Sequence, residues 1–153
     1  MTLHLRTIKD EFRVLALDSC ASKGPIGVVY RGGLYLDGVL MPGKRASKIG
    51  RDILGSKYFP ELKILMIHDA FDTVDSESVQ KETRLPVLKI STKRPRRDKS
   101  QSFHSSRGRI WVKTLLDTAT VQRILDLTWT TGRLPEPVRV AHLLGKSIRF
   151  SSF

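Results

Sequence analysis

A chain of 153 residues with 40% hydrophobic and 27% charged residues is sized for one globular domain with a substantial core. Its 27 Lys and Arg outnumber 15 Asp and Glu, and the net charge of +12 favours a polyanionic partner through long-range attraction and counterion release. No apolar run approaches the roughly 20 residues of a membrane span, the start MTLHLRTIKDEF lacks an apolar secretory region, and a lone Cys20 excludes an internal disulfide.

The expected protein is therefore cytoplasmic, bound to no membrane, and a partner of nucleic acid. FRVLALD (12–18) is short, apolar and rich in branched or aromatic side chains, which predicts a central strand. Gly24-Pro25 marks a turn before a second strand, IGVVYRG. Gly32-Gly33 then signals a hairpin into a third, LYLDGVL. Short turns between them predict an antiparallel meander.

MPGKRA interrupts the pattern, and Ser47 is placed to cap a short helix with Ile49, Ile53 and Leu54 inward. ELKILMIHD predicts a fourth strand. Asp72 or Asp75 can cap a helix ending near Thr83, and Pro86 opens a fifth strand, PVLKIS. A strand–helix–strand order requires a crossover, so these later strands should run parallel.

The segment from 92 to 109 holds seven Lys or Arg and one acid without apolar period, and predicts a mobile basic loop. Phe103 and His104 within it are placed to stack on unpaired bases. IWVKTLL predicts one more edge strand, and Trp111 and Trp129 read as core residues. Asp117 should cap a helix with Val121, Ile124, Leu125 and Thr128 on one face. Pro135-Glu136-Pro137 then starts a last helix, where early proline and an acid suit the free N–H groups.

The order predicts one domain over 1–153: a mixed five-stranded sheet of RNase H-like type, three antiparallel strands followed by parallel ones, flanked by helices. Such nucleases hold divalent metal between a carboxylate on the first strand and one at the end of the fourth. The ions activate water and neutralise the leaving oxygen. Asp18 suits the first role. His68 and Asp69 compete for the second, and alternation turns them to opposite faces. Asp69 would suit Mg²⁺, whereas an imidazole suits Mn²⁺ or Zn²⁺ better. Asp69 and Asp72 also read as ordinary turn residues, and Asp37-Gly38 as a turn or bulge pair.

RVLALD, GVVYRGGLYLDGVL, ETRLPVLKI and TTGRLPEPVRVAHLL together resemble successive motifs of the archaeal endonuclease V-like family, which is linked to endonuclease dU. The resemblance implies an RNase H-like fold and Mg- or Mn-dependent cutting of DNA near deaminated bases. Dimers are common among such domains, so a homodimer joins the expectations. The departures carry as much weight. Members typically show Asp-Gly-x-Asp-Ala-Thr after the third strand; here Pro42-Gly43-Lys44-Arg45-Ala46-Ser47 stands there. The fourth strand typically ends in Leu-Asp-Gly, and Ile67-His68-Asp69 puts a histidine at the acid. The chain is also shorter than usual between the fifth strand and the final helices.

Two expectations follow. In the first, the scaffold holds nucleic acid, DNA above all, with a degenerate metal site. Lys44, Arg45, Arg94, Arg96, Arg97, Lys99, Arg107 and Arg109 contact phosphates, joined by Arg139, His142 and Lys146 on one stripe of the last helix that also includes Arg149. In the second, the chain is an active repair endonuclease with Asp18, Asp37 and Asp69 as catalytic acids, and Asp18, His68 and Asp69 as metal ligands. Cys20 and His142 lack a partner arrangement for nucleophilic or general-base chemistry. No phosphate-loop, paired Cys-x-x-Cys or Gly-x-Ser-x-Gly motif is present.

Overall fold

Alternation along the central strands sorts their side chains into two apolar faces. Val14, Ala16, Ile64, Met66, Leu88 and Ile90 share one face; Leu15, Leu17, Leu65, Ile67 and Val87 share the other. Each face has its own pair of helices. The structure, a computed structural model, describes residues 11–19, 24–43, 48–70, 73–96 and 99–150, with residues 149 and 150 described by backbone alone.

The strands are β1 (Arg13–Asp18), β2 (Ile26–Arg31), β3 (Tyr35–Leu40), β4 (Leu62–His68), β5 (Val87–Ser91), β6 (Gln101–Ser105) and β7 (Gly108–Lys113). They form one mixed sheet in the order β3-β2-β1-β4-β5-β7-β6. β1, β2 and β3 are antiparallel, as the short turns predict. β1, β4 and β5 run parallel, as the crossover requires. The β2–β3 turn uses Gly32 at φ 55°, a backbone conformation glycine adopts without steric cost.

Seven strands replace the expected five. The segment read as a basic loop contributes β6, which pairs with β7 from Gln101↔Val112 to Ser105↔Gly108. IWVKTLL supplies β7, which lies inside the sheet between β5 and β6 and not at its edge. Phe103 is buried against this layer with Ile110 and Val112, so it packs the core and offers no stacking face.

Helices α1 (Ile49–Leu54) and α2 (Ser76–Thr83) cover the face of Leu15 and Leu17 through Ile49, Ile53 and Val79. Leu54 points outward, one position past the inward stripe. Asp75 caps α2 by accepting from Ser78 N at 3.1 Å. Helices α3 (Thr118–Thr128) and α4 (Glu136–Phe150) cover the opposite face. Asp117 caps α3 by accepting from Thr120 N at 2.7 Å, and Val121, Ile124, Leu125 and Thr128 are buried as the spacing predicts. α4 starts at Glu136 between its two prolines, and Arg139 N donates to Pro135 O. Val138 and Ala141 are fully buried, and α4 lies across β1 and β2. That crossing brings the middle of α4 over the end of β1.

Candidate functional site: Asp18, His68 and His142

β1 and β4 run in register, with Asp18 directly beside His68 at their carboxyl ends. Both belong to the side-chain set that faces α4, because Asp18 follows Val14 and Ala16 at even spacing and His68 follows Ile64 and Met66. From α4, His142 lies one position after buried Ala141 and four after buried Val138, at the margin of the inward stripe. Three elements far apart in sequence thus converge on one carboxylate.

His68 Nδ1 lies 3.1 Å from Asp18 Oδ2, and His142 Nδ1 lies 2.8 Å from the same oxygen. An ionised carboxylate only accepts, so with Asp18 charged each ring carries its proton on Nδ1 and donates. The two rings meet edge to face, with centroids 5.4 Å apart and planes at 82°. The Asp18 side chain is 1% exposed, against 13% for His68 and 27% for His142. The carboxylate forms the floor, and the imidazoles form the rim. A buried carboxylate is costly unless hydrogen-bonded, and the two rings meet that requirement.

The other acids lie elsewhere. Asp69 turns into the following loop, accepting from Thr73 N at 3.0 Å, Thr73 Oγ1 at 3.2 Å and Val74 N at 2.6 Å. This is the turn role that aspartate commonly takes. Asp37 is the extra residue of a bulge in β3, since Val29 pairs with Gly38 and Tyr30 with Leu36. It accepts from Arg13 Nε at 3.1 Å and Arg31 Nε at 3.0 Å. Arg13 begins β1 and Asp18 ends it, so Asp37 sits at the opposite end of the strand from the histidines. Burial pushes the Asp37 carboxyl up, but the Arg31 and Arg13 guanidiniums more than offset this and hold it below the usual carboxylate range. Asp72 lies outside the described residues, as do Cys20, Lys44, Arg45, Ser47 and Arg97.

The Mg²⁺ or Mn²⁺ pair implied by the endonuclease resemblance calls for several oxygen ligands. Among the described residues, one carboxylate and two imidazoles meet here, a donor set with too few oxygens for such a pair and ill-suited to a hard ion such as Mg²⁺. No cutting step through such an ion follows from this geometry.

The basic surface has a different centre from the one expected. Trp111 is half-buried, not core: Ile110 and Val112 turn inward, so alternation sends Trp111 outward with Arg109 and Lys113. The guanidinium of Arg94 lies 5.6 Å from the centre of its ring, and that of Arg109 5.9 Å. A cleft of about 750 Å³ opens beside it, lined by Arg94, Arg96, Lys99, Gln101, Phe103 and Trp111. Arg107 is exposed at the β6–β7 turn, and Arg109 Nε reaches exposed His104 at 3.4 Å. On α4, Lys146 is exposed, while Arg139 is paired with Glu136 at 2.6 and 2.8 Å, which raises its pKa through that hydrogen bond. His142 leaves the expected stripe by turning to Asp18. Alternation around Ile110 was the signal that could have identified Trp111, whereas the margin position of His142 shows only once Val138 and Ala141 are seen to be buried.

No helix among the described residues is long and apolar enough to cross a membrane. No protein-family model matches the chain. A UPF0215 protein of Methanosarcina acetivorans is 29% identical over 188 aligned positions, covering 94% of this chain and 93% of that protein. UPF0215 proteins of Methanopyrus kandleri and Thermococcus kodakarensis are 28% and 27% identical, with 95% and 94% of this chain aligned to 95% of each. These alignments are longer than the chain itself, so the relatives carry segments with no counterpart here. A crystal structure of a protein of unknown function from Archaeoglobus fulgidus shares the fold, with a TM-score of 0.73, 21% identity, and coverage of 92% of this chain and 99% of that one. None of these names carries an activity. Over nearly its whole length, the chain is similar to archaeal UPF0215 proteins.

Proposed function

We propose that the protein binds nucleic acid, with DNA favoured, on an RNase H-like scaffold that does not cut through a Mg²⁺ pair. The scaffold reading is supported by strands β1 to β5, which take the order 3-2-1-4-5 with the first three antiparallel and β1, β4 and β5 parallel. The single observation that carries the binding reading is Trp111 with Arg94 and Arg109 over its ring, beside a cleft that also presents Arg96 and Lys99. An aromatic face accepts a base of any identity, and the guanidiniums accept its phosphates.

Position supports the same reading. Ser91 at the end of β5 pairs with Trp111, and Ile67 of β4 is level with Lys89 of β5. Trp111 therefore lies near the end of the sheet that carries Asp18 and His68, three strand spacings or about 14 Å from Asp18 and two from His68, with its side chain on the opposite face. Single-stranded DNA is flexible enough to follow that end of the sheet. The net charge of +12 supplies the long-range attraction.

The test is fluorescence anisotropy with labelled single-stranded DNA across a salt series. Arg94→Ala and Arg109→Ala should each weaken binding and flatten the logarithmic salt slope by about 0.7. Trp111→Ala should cost about 1–3 kcal/mol with the slope unchanged. Binding that is indifferent to all three substitutions would overturn the assignment of this surface.

A further inference from the structure

The failure of the Asp18 cluster to suit a hard ion raises the question of what it does suit. From its geometry we infer that Asp18, His68 and His142 bind one divalent transition-metal ion of the zinc class. The three side chains present one carboxylate oxygen and two imidazole nitrogens, one ligand atom from each lying within 4.8 Å of the others. Imidazole with a single carboxylate suits Zn²⁺, Co²⁺ and related borderline ions over Mg²⁺.

The spacing is close to what such an ion needs. Four ligands at about 2.0–2.1 Å in a tetrahedron stand about 3.3 Å apart. The two Nδ1–Oδ2 separations are 3.1 and 2.8 Å, so a small opening of the cluster admits the ion. The rings meet edge to face at 82° and do not stack on each other, and both turn Nδ1 to the same Asp18 oxygen. The floor is rigid, because Asp18 and His68 are paired neighbours on two central parallel strands. The rim is open on the imidazole side, where both rings remain partly exposed and give an entry path. Three protein ligands leave a fourth position for water or a ligand oxygen, the arrangement of an open rather than a closed zinc site.

Binding changes the proton arrangement without leaving an imbalance. Each ring that donates through Nδ1 to Asp18 moves that proton to Nε2, and Nδ1 then offers its lone pair to the ion. A purely structural triad has a different requirement: it needs only donors that hold α4 against the end of β1. Glutamine at 142 would meet that need while ligating poorly.

The experiment is isothermal titration of the metal-free full chain with Zn²⁺, and with Co²⁺ followed by visible absorption, in excess Mg²⁺. The expected result is one ion per chain, a tetrahedral or five-coordinate Co²⁺ spectrum, and an affinity loss of at least about 100-fold in His68→Ala and in His142→Gln. His142→Gln should retain the far-UV circular dichroism of the parent, and His104→Ala should bind as the parent does. No stoichiometric uptake by the parent, or uptake unchanged in His68→Ala and His142→Gln, would overturn the inference. Because the titration contains no nucleic acid, its failure leaves the binding reading at Trp111 standing, and the converse also holds.

Discussion

Asp37 shows how one residue type can serve two unrelated ends of a strand. Tied to Arg13 and Arg31, it steadies the bulge where β3 leaves register with β2, and it takes no part at the Asp18 end. Its folded-state pKa is depressed, so the pairing stabilises the fold above the unfolded carboxylate value of about 3.9. That contribution is lost as pH falls through the lower folded value. Asp37→Asn should therefore cost about 1 kcal/mol near neutral pH, a modest figure for a partly exposed network. Urea unfolding should show the difference between parent and variant shrinking below pH 4. A difference that persisted unchanged in acid would place the stabilisation in packing instead of charge. At this scale the sequence made the strand end at Asp18 legible, while it left Asp69 between a ligand and a turn role, and the loop contacts of Asp69 give the turn. The sequence was not legible for His142, because the basic spacing of Arg139, His142 and Lys146 looks like a solvated stripe until α4 is laid across β1.

Among the elements, the β2–β3 hairpin depends on a close approach to α3. A Cβ placed on Gly33 would lie 2.5 Å from Leu127 O and 3.1 Å from Thr128 Cα, both backbone atoms that cannot rotate away. Gly33→Ala should lift the turn from the helix end and destabilise the protein by about 1–3 kcal/mol. Gly43→Ala, which meets only Asp52 Oδ2 at 3.7 Å, should change the thermal midpoint little. Equal midpoints for the two variants would contradict this packing. Strands β1, β2, β4 and β5 were readable because buried strands announce themselves as apolar runs. So were α2 and α3, through Asp75 and Asp117 at their caps. β6 was hidden because QSFHS has neither a hydrophobic run nor strict alternation, and its strand conformation comes from pairing with β7.

For the whole molecule, charge and topology divide the labour. The sheet gathers Asp18, His68, Ser91 and Trp111 toward the edge where β1, β4 and β5 end, while α4 delivers His142 from the opposite end of the sequence. Composition alone pointed to a polyanionic partner, because excess charge acts at long range and needs no fold to be counted. The switch from a carboxylate pair to an Asp–His–His cluster needed the register of β1 against β4. Only that register decides whether His68 or Asp69 faces Asp18, and it selects His68. The proposed function is binding to DNA without Mg²⁺-dependent cutting. It is tested most directly by following binding and cleavage together, on labelled single- and double-stranded DNA with and without uracil or hypoxanthine, in Mg²⁺, in Mn²⁺ and in chelator. Salt-sensitive binding that chelator leaves unchanged, with no cleaved product in any sample, is the expected result. Nicking that requires Mg²⁺ or Mn²⁺ and disappears in Asp18→Ala would contradict it.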